Sequence, residues 1–400
     1  MHNFREVTED LYSIGGDDRR LSLFENIHPI PEGISYNSYL LMDEKTVLLD
    51  TVDASIYEGF MENIKSILKG KKLDYLVINH MEPDHAGSLG MILDCYPDVK
   101  VIGNKKTFDL MNQFDHGVGE DAAIVVKDGD TMSFGKHELM FISAPMVHWP
   151  ETMATFDTTN GVLFSADAFG TFKSLDGRLF NDEVDFEADF IEPARRYYTN
   201  IVGKYGPQVQ KLLQKASGLD IKFICPLHGP VWRNNFEYII DKYDKWSKYE
   251  PEEKGVLIVY GSMYGNTEKA AEDLAKRLVS KGVSNIAMYD AAKTHSSYLV
   301  SDAFKYSTIV IASATYNLNI FTPVQNFLLD IKSLNLRNRT FGIIENGSWA
   351  PTAGKLIRET LESMKDTSII EESVLITSSM KQEDAPNMEA LADSIMETLK

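Results

Sequence analysis

The feature that most constrains this chain is a change of rhythm near residue 250. From Gly255 onward, strand-like apolar runs alternate with segments of helical periodicity. The pattern predicts strand 256–260, helix 267–280, strands 286–290 and 307–313, helix 323–333, strand 340–345, helix 353–364, strand 368–377 and helix 384–399. Strands that alternate with helices run parallel, each helix crossing a face of the sheet to return the chain. About 145 residues built this way fit a doubly wound sheet, which binds its ligands outside the carboxyl ends of its strands. The earlier residues follow another pattern. Runs at 36–42 and 46–50 flank the hairpin turn Asp43-Glu44-Lys45, and helical periodicity over 54–69 ends at Gly70, a C-cap. Further strands are expected at 74–78, 99–103, 161–165 and 221–224, with several more across 122–145 around the turn Asp128-Gly129-Asp130. Helices are expected over 187–217 and 234–247, which together suggests strands packed as a sandwich with helices outside. The charged, proline-containing stretch 248–255 reads as a linker, giving domains 1–250 and 251–400.

The first domain carries its chemistry at strand ends. Asn79-His80-Met81-Glu82-Pro83-Asp84-His85 follows the buried run Tyr75-Leu76-Val77-Ile78 and places His80, Glu82, Asp84 and His85 within six positions. In an extended segment His80, Glu82 and Asp84 project to one side, and the turn after Asp84 brings His85 round beside them. Imidazole with carboxylate suits iron, zinc or manganese, and the lack of sulfur argues against a structural zinc knot. His148, Asp167 and His228 each leave another strand end. Singly, each reads as a capping or satisfied core residue. Together the seven offer enough donors for two metals, with Asp167, alone on its loop, suited to bridge them. His2, His116, His137 and His295 read as surface residues, His28 as a residue on a loop near the site, and Cys225 as a buried structural thiol.

In the second domain, Ser262-Met263-Tyr264-Gly265-Asn266-Thr267 lies between a strand and a helix, where hydroxyls, an amide and free backbone N–H groups form a phosphate cradle. Neither GxGxxG nor GKS/GKT is present, so the turn is neither a dinucleotide fingerprint nor a P-loop. Two more loops leave carboxyl strand ends: Ala314-Thr315-Tyr316-Asn317-Leu318-Asn319, and Asn346-Gly347-Ser348-Trp349-Ala350. Trp349 is placed to cover one face of a planar ring.

His80-x-Glu82-x-Asp84-His85 with His148, Asp167 and His228 resembles the metallo-β-lactamase fold, whose hydrolases usually carry His where this chain has Glu82. A carboxylate there, joined to a flavodoxin-like domain, closely resembles the flavodiiron proteins (A-type flavoproteins) across essentially the whole chain. The resemblance implies a metallo-β-lactamase-like αββα sandwich followed by a flavodoxin-like doubly wound parallel sheet. It implies two irons, one held by His80, Glu82 and His148, the other by Asp84, His85 and His228, with Asp167 bridging. In some members the residue matching His85 is off the metal. The residues named in the three loops above resemble flavodoxin's FMN site, with Tyr264 where many flavodoxins have Thr. The implied activity is reduction of O2 to water or of NO to N2O, with electrons passing through FMN and no catalytic residue beyond the metal ligands. Family members work as head-to-tail dimers or dimers of such dimers, with rubredoxin or reduced F420 as donor.

Composition narrows the rest. Lys plus Arg is 40 and Asp plus Glu 59, a net charge of −19 that makes nucleic acid and anionic membranes poor partners. With 44% hydrophobic and 25% charged residues the chain is an ordinary globular one. Two cysteines and no CxxC pair fit a reducing cytosol without an appended rubredoxin module, so a separate donor and a cytoplasmic location are expected. A dizinc hydrolase with a redox-sensing flavodoxin domain is the competing reading, and Glu82 in place of His speaks against it. A pure electron carrier on a dead scaffold is disfavoured by the complete ligand set.

Overall fold

Residues 3–400 are described by a computed structural model, so His2 lies outside the described residues. The chain forms two compact units: residues up to Tyr198 together with Pro207–Tyr243, and Thr199–Gly206 together with Asp244–Lys400.

Beside two small antiparallel pairs, Gly16–Asp18 with Ile34–Tyr36 and Leu23–Phe24 with His28–Pro29, two large sheets build the first unit. One has the order Arg5–Thr8, Leu11–Ser13, Tyr39–Met42, Thr46–Leu49, Tyr75–Val77, Lys100–Gly103 and Ala123–Val125. Its pairs are antiparallel as far as Thr46–Leu49 and parallel beyond it. The other runs Thr131–Ser133, Glu138–Ser143, Met153–Asp157, Val162–Phe164, Phe223–Cys225, and only its last pair is parallel. The sheets meet through apolar side chains, with Tyr39 and Phe164 ring centroids 5.4 Å apart and those of Tyr75 and Phe134 5.1 Å apart. The parallel pairs matter most for function. Leu49 pairs with Val77, and Phe164 with Cys225. Each pair of strands therefore ends at a common edge, and the polar residues that follow emerge side by side.

The second unit is the doubly wound sheet, whose five main strands, ordered Ile286–Asp290, Glu253–Gly261, Tyr306–Tyr316, Arg339–Asn346, Thr367–Ile376, are all parallel, with the short Asn319–Ile320 antiparallel to the end of Tyr306–Tyr316. Its helices are Asn266–Ser280, Ser296–Lys305, Thr322–Ser333, Ala353–Glu362 and Ala385–Thr398.

Several local expectations are corrected. The helical stretch 187–217 is broken into Phe186–Asp189, Ile191–Tyr197, a π turn Tyr198–Val202, a 3-10 turn Gly203–Tyr205 and Gly206–Ala216. Pro193 and Pro207 each sit in a first helical turn, where a missing N–H costs nothing and a new helix begins. The helix Tyr57–Leu68 is closed by Lys69 in the left-handed region (φ 48°), one residue before Gly70. Strand Met153–Asp157 and helix Ser296–Lys305 have weak sequence signals. The latter is rich in serine, and its N-cap is His295, whose side chain accepts from Ser297 N–H. The charged segment 248–255 is anchored rather than loose. Trp246 Nε1 donates to Glu252 Oε1 at 2.6 Å, and the buried Arg339 guanidinium donates to the Tyr249 carbonyl at 2.7 Å.

His137 is not a surface residue. It is fully buried, with Nδ1 2.8 Å from Asp157 Oδ2 and Nε2 3.3 Å from Asp10 Oδ2. The Asp157 hydrogen bond raises its pKa above the usual 6.5. An elevated folded-state pKa contributes stability that is complete below the unfolded value and lost as pH rises through the folded one. His137→Ala is therefore expected to lower the thermal midpoint more at pH 6 than at pH 9, read by calorimetry; an equal loss at both would mean that the charged ring contributes nothing.

Candidate functional site

The paired strand ends of the first unit deliver their polar residues to one place. Asp50, just beyond Thr46–Leu49, has φ 58° and is buried. Its Oδ1 accepts from Asn79 N–H at 2.7 Å and His80 N–H at 3.2 Å, and its Oδ2 accepts from the Asn79 amide at 2.7 Å. Asn79 Oδ1 in turn accepts from Thr155 Oγ1 at 2.7 Å, tying the loop to the other sheet. Thr51 holds the next turn by donating N–H and Oγ1 to the His85 carbonyl. The loop after Tyr75–Val77 is thus gripped before it presents a ligand atom.

Among the described residues two groups could each hold a metal ion: His80, Glu82, His148 and Asp167, and Asp84, His85 and His228, with ligand atoms in each within 4.8 Å of one another. Here the extended-segment expectation fails. Pro83 starts a short helix, Pro83–Ala86, with Glu82 as its N-cap. Asp84 therefore turns away from His80 and Glu82 and joins His85, because a helical turn does not alternate its side chains.

Asp167 faces both groups. Its Oδ2 lies 3.2 Å from His80 Nε2 and 3.1 Å from His148 Nε2, and its Oδ1 lies 3.0 Å from His85 Nε2 and 3.7 Å from His228 Nε2. Glu82 Oε2 is 3.3 Å from His80 Nε2 and 3.0 Å from His148 Nε2, while Asp84 Oδ2 is 3.2 Å from both His85 and His228 Nε2. His80, His85, Asp167 and His228 are 0% exposed. Yet His80 Nε2, both Asp84 oxygens, His85 Nε2, Asp167 Oδ1 and His228 Nε2 have no hydrogen-bond partner. Buried polar atoms are almost always satisfied, so converging orphans of this kind fit metal ions.

Electrostatics agrees. Burial pushes Asp84 up to about 8 against the pull of His85. Burial would also raise Asp167, but the His85 and His80 imidazoles hold it well below its ordinary range. Burial lowers and the Asp167 and Glu82 carboxylates raise His148, leaving it at about 9. The cluster retains protons that a cation would displace, which makes metal affinity pH-dependent.

Other neighbours lack an obvious sequence signal. Glu151 accepts from His80 Nδ1, Ser35 C=O from His228 Nδ1, and Tyr197 packs its ring 5.2 Å from that of His228. Glu25, in the turn between Leu23–Phe24 and His28–Pro29, is raised to about 8 by burial and by Glu82. His28 Nε2 lies 3.7 Å from Glu25 Oε2.

The second unit has a cleft of about 350 Å³ at the carboxyl ends of its strands. Ser262, Met263, Tyr264, Asn266 and Thr267 line it from the first loop, and Ala314, Thr315, Asn317 and Leu318 from the second. Asn346, Gly347, Ser348 and Trp349 line it from the third. Gly265 (φ 86°) makes the turn into helix Asn266–Ser280 without reaching the wall. Tyr316 and Asn319 also miss it because they pair with each other across a small hairpin, and Ala350 lies beyond Trp349 in the left-handed region. Ser378, past the fifth strand, is an added wall residue whose Oγ donates to Ser348 Oγ at 2.8 Å. The lining contains neutral donors at a helix N-terminus and no lysine or arginine, which suits a phosphate bound by backbone and hydroxyl groups. Tyr264 is 91% and Trp349 80% exposed, leaving both rings free to flank a planar group.

Residues 34–229 match the family described as ODP family beta lactamase, and residues 258–394 match Flavodoxin. The nitric oxide reductase of Moorella thermoacetica is 32% identical over 362 residues, 90% of each chain. The anaerobic nitric oxide reductase flavorubredoxin of Salmonella paratyphi B is 33% identical over 323 residues, 80% of this chain but only 66% of that longer protein. Among solved structures, rubredoxin oxygen:oxidoreductase from Desulfovibrio gigas superposes with a TM-score of 0.93 at 29% identity, covering 99% of this chain and 98% of that one. The flavodiiron protein from Giardia intestinalis gives 0.93 at 26% identity, covering 100% and 98%.

Asp50 tests whether the loop must be gripped from behind. Asp50→Ala leaves three buried donors without an acceptor, at about 1–3 kcal/mol each. It is expected to destabilise the chain by about 3 kcal/mol or more in chemical unfolding and to lower metal bound per chain; full metal occupancy in this variant would show the grip to be dispensable.

Proposed function

Because this chain belongs to the flavodiiron proteins, we propose that it reduces O2 to water, NO to N2O and water, or both, at an iron pair in residues 1–250, drawing electrons through FMN bound by residues 251–400. It is an oxidoreductase of flavodiiron type whose cofactors are FMN and two iron ions. The observation that carries the reading is Asp167, a fully buried carboxylate with one oxygen toward each group of ligands.

Bound iron supplies the redox centre for a diatomic gas, and bound FMN supplies electrons that it receives from a donor. The chain's own residues do the rest. His80, Glu82 and His148 would hold one ion, Asp84, His85 and His228 would hold the other, and Asp167, with one oxygen toward each group, would serve both. Three carboxylates set against two divalent ions leave little net charge to bury. The buried setting keeps bulk water from the centre. In the second unit Ser262, Asn266 and Thr267 would receive the phosphate at the helix N-terminus, Thr315, Asn346 and Gly347 would line the ring edge, and Trp349 would cover a ring face.

The donor we propose is a separate protein or cofactor, rubredoxin or reduced F420, in the cytoplasm; among the described residues no helix is long and apolar enough to cross a membrane. Glu82 where hydrolases of this fold usually have His speaks for iron over a zinc pair. The exposed Tyr264 and Trp349 at the cleft mouth suit a surface that another chain covers. They support a head-to-tail homodimer, or a dimer of such dimers, in which the FMN of one protomer faces the irons of its partner.

Three outcomes follow. His148→Ala and Asp167→Ala are each expected to abolish O2 and NO consumption while FMN stays bound, measured by gas electrodes and flavin absorbance. Loss of flavin in these variants would mean that the two sites are not separable. Anaerobically purified protein is expected to contain iron and to turn over O2 or NO with rubredoxin or F420H2, and two zinc ions with no iron per chain would overturn the proposal. Light scattering is expected to show a dimer or tetramer, and a fully active monomer would refute the head-to-tail arrangement.

A further inference from the structure

The histidines around Asp167 are not held alike from behind. His80 Nδ1 lies 2.8 Å from Glu151 Oε1, and the same oxygen accepts from Met81 N–H at 2.9 Å. A carboxylate oxygen only accepts, so Nδ1 carries the ring proton, and the Nε2 lone pair is turned toward Glu82 and Asp167. His228 Nδ1 donates instead to a neutral acceptor, the Ser35 carbonyl, at 2.7 Å. His85 Nδ1 is buried and has no partner.

Glu151 is built for this contact. It is 1% exposed, and its second oxygen has no partner. Its backbone is pinned as well, because the Asn104 amide donates to the Glu151 carbonyl. Asn104 also N-caps helix Lys105–Gln113 through Lys106 and Thr107 N–H. The carboxylate therefore sits on a fixed support 71 positions along the chain from His80.

We propose that Glu151 is a positioning residue that makes the two iron sites unequal. A charge-assisted bond to Nδ1–H orients His80 and raises its basicity as a ligand. The iron held by His80, Glu82 and His148 is consequently bound more tightly than the iron held by Asp84, His85 and His228. Asp167 serves both positions, and each adds two imidazoles and one further carboxylate, Glu82 or Asp84, so the contacts behind the rings are the difference we hold responsible. The inference rests on the ligand assignment proposed above.

The test uses full-length protein carrying FMN and 57Fe, as wild type, Glu151→Gln and Glu151→Asp. Iron release to a chelator and Mössbauer spectra are recorded on each. Wild type is expected to lose its irons in two phases. Glu151→Gln is expected to accelerate the slow phase about 10–100-fold while leaving the fast phase unchanged, and to shift one of the two quadrupole doublets. Glu151→Asp keeps the charge and is expected to restore much of the slow phase. Equal acceleration of both phases, no change in either, or a single phase in wild type would overturn the inference. Should Glu151→Gln lose its FMN and its circular dichroism, the wild-type phases and the Glu151→Asp doublets decide. Wild type that holds no iron would instead defeat the ligand assignment itself.

Discussion

Burying charge is the constraint on which the first unit depends. Glu82, Asp84 and Asp167 share one enclosed space with four imidazoles, and Asp50 and Glu151 are buried just behind them. A carboxylate moved out of water without compensation is strongly destabilising. Compensation here comes from two directions. Behind the loops, backbone and side-chain donors satisfy Asp50 and half of Glu151. In front, the carboxylates and imidazoles oppose each other and leave orphaned atoms that positive charge must satisfy. The parallel pairing of Leu49 with Val77 and Phe164 with Cys225 is the geometric means to this end, since it brings distant acidic residues out at common edges.

The second unit follows different physics. Its core is apolar, built from residues such as Val256, Ile258, Val310, Ile344 and Leu391. Its cleft is open and uncharged. Hydroxyls, amides and free backbone N–H groups bind without a large desolvation penalty, so the loops carry recognition and the sheet carries stability. Charges buried in this unit are satisfied locally: carbonyls of Tyr249, Ala303 and Phe304 surround the Arg339 guanidinium, and Asp302 accepts from Tyr289 OH.

Much of this is local and was therefore legible. Apolar runs of strand length, the hairpin at Asp43-Glu44-Lys45 and the alternation after Gly255 all depend on neighbours in sequence. So does the placing of ionisable residues directly after buried runs. The misses share a cause in long-range or competing effects. Glu151 meets His80 and Asp50 meets Asn79 across tens of residues, and nothing in either local sequence marks the contact. His137 looks like a polar turn residue until Asp10 and Asp157 enclose it. Asp84 leaves the side shared by His80 and Glu82 because Pro83 favours a helical start over the extended path. Helix Ser296–Lys305 relies on a cap and on burial of its apolar face rather than on intrinsic propensity. The cleft wall was readable loop by loop, but Ser378 joins it only because the parallel sheet brings the fifth strand's end beside the fourth.

The short excursion Thr199–Gly206 has a consequence for modularity. The chain leaves the first unit at Tyr198, re-enters it at Pro207 and leaves again after Tyr243. Within the second unit, Asn200 donates to the Ser297 carbonyl and Lys204 C=O accepts from Tyr249 OH. No single scission can part the units with both intact. A gene fusion that transplanted either half as one continuous cassette would carry away, or leave behind, a piece that the other needs.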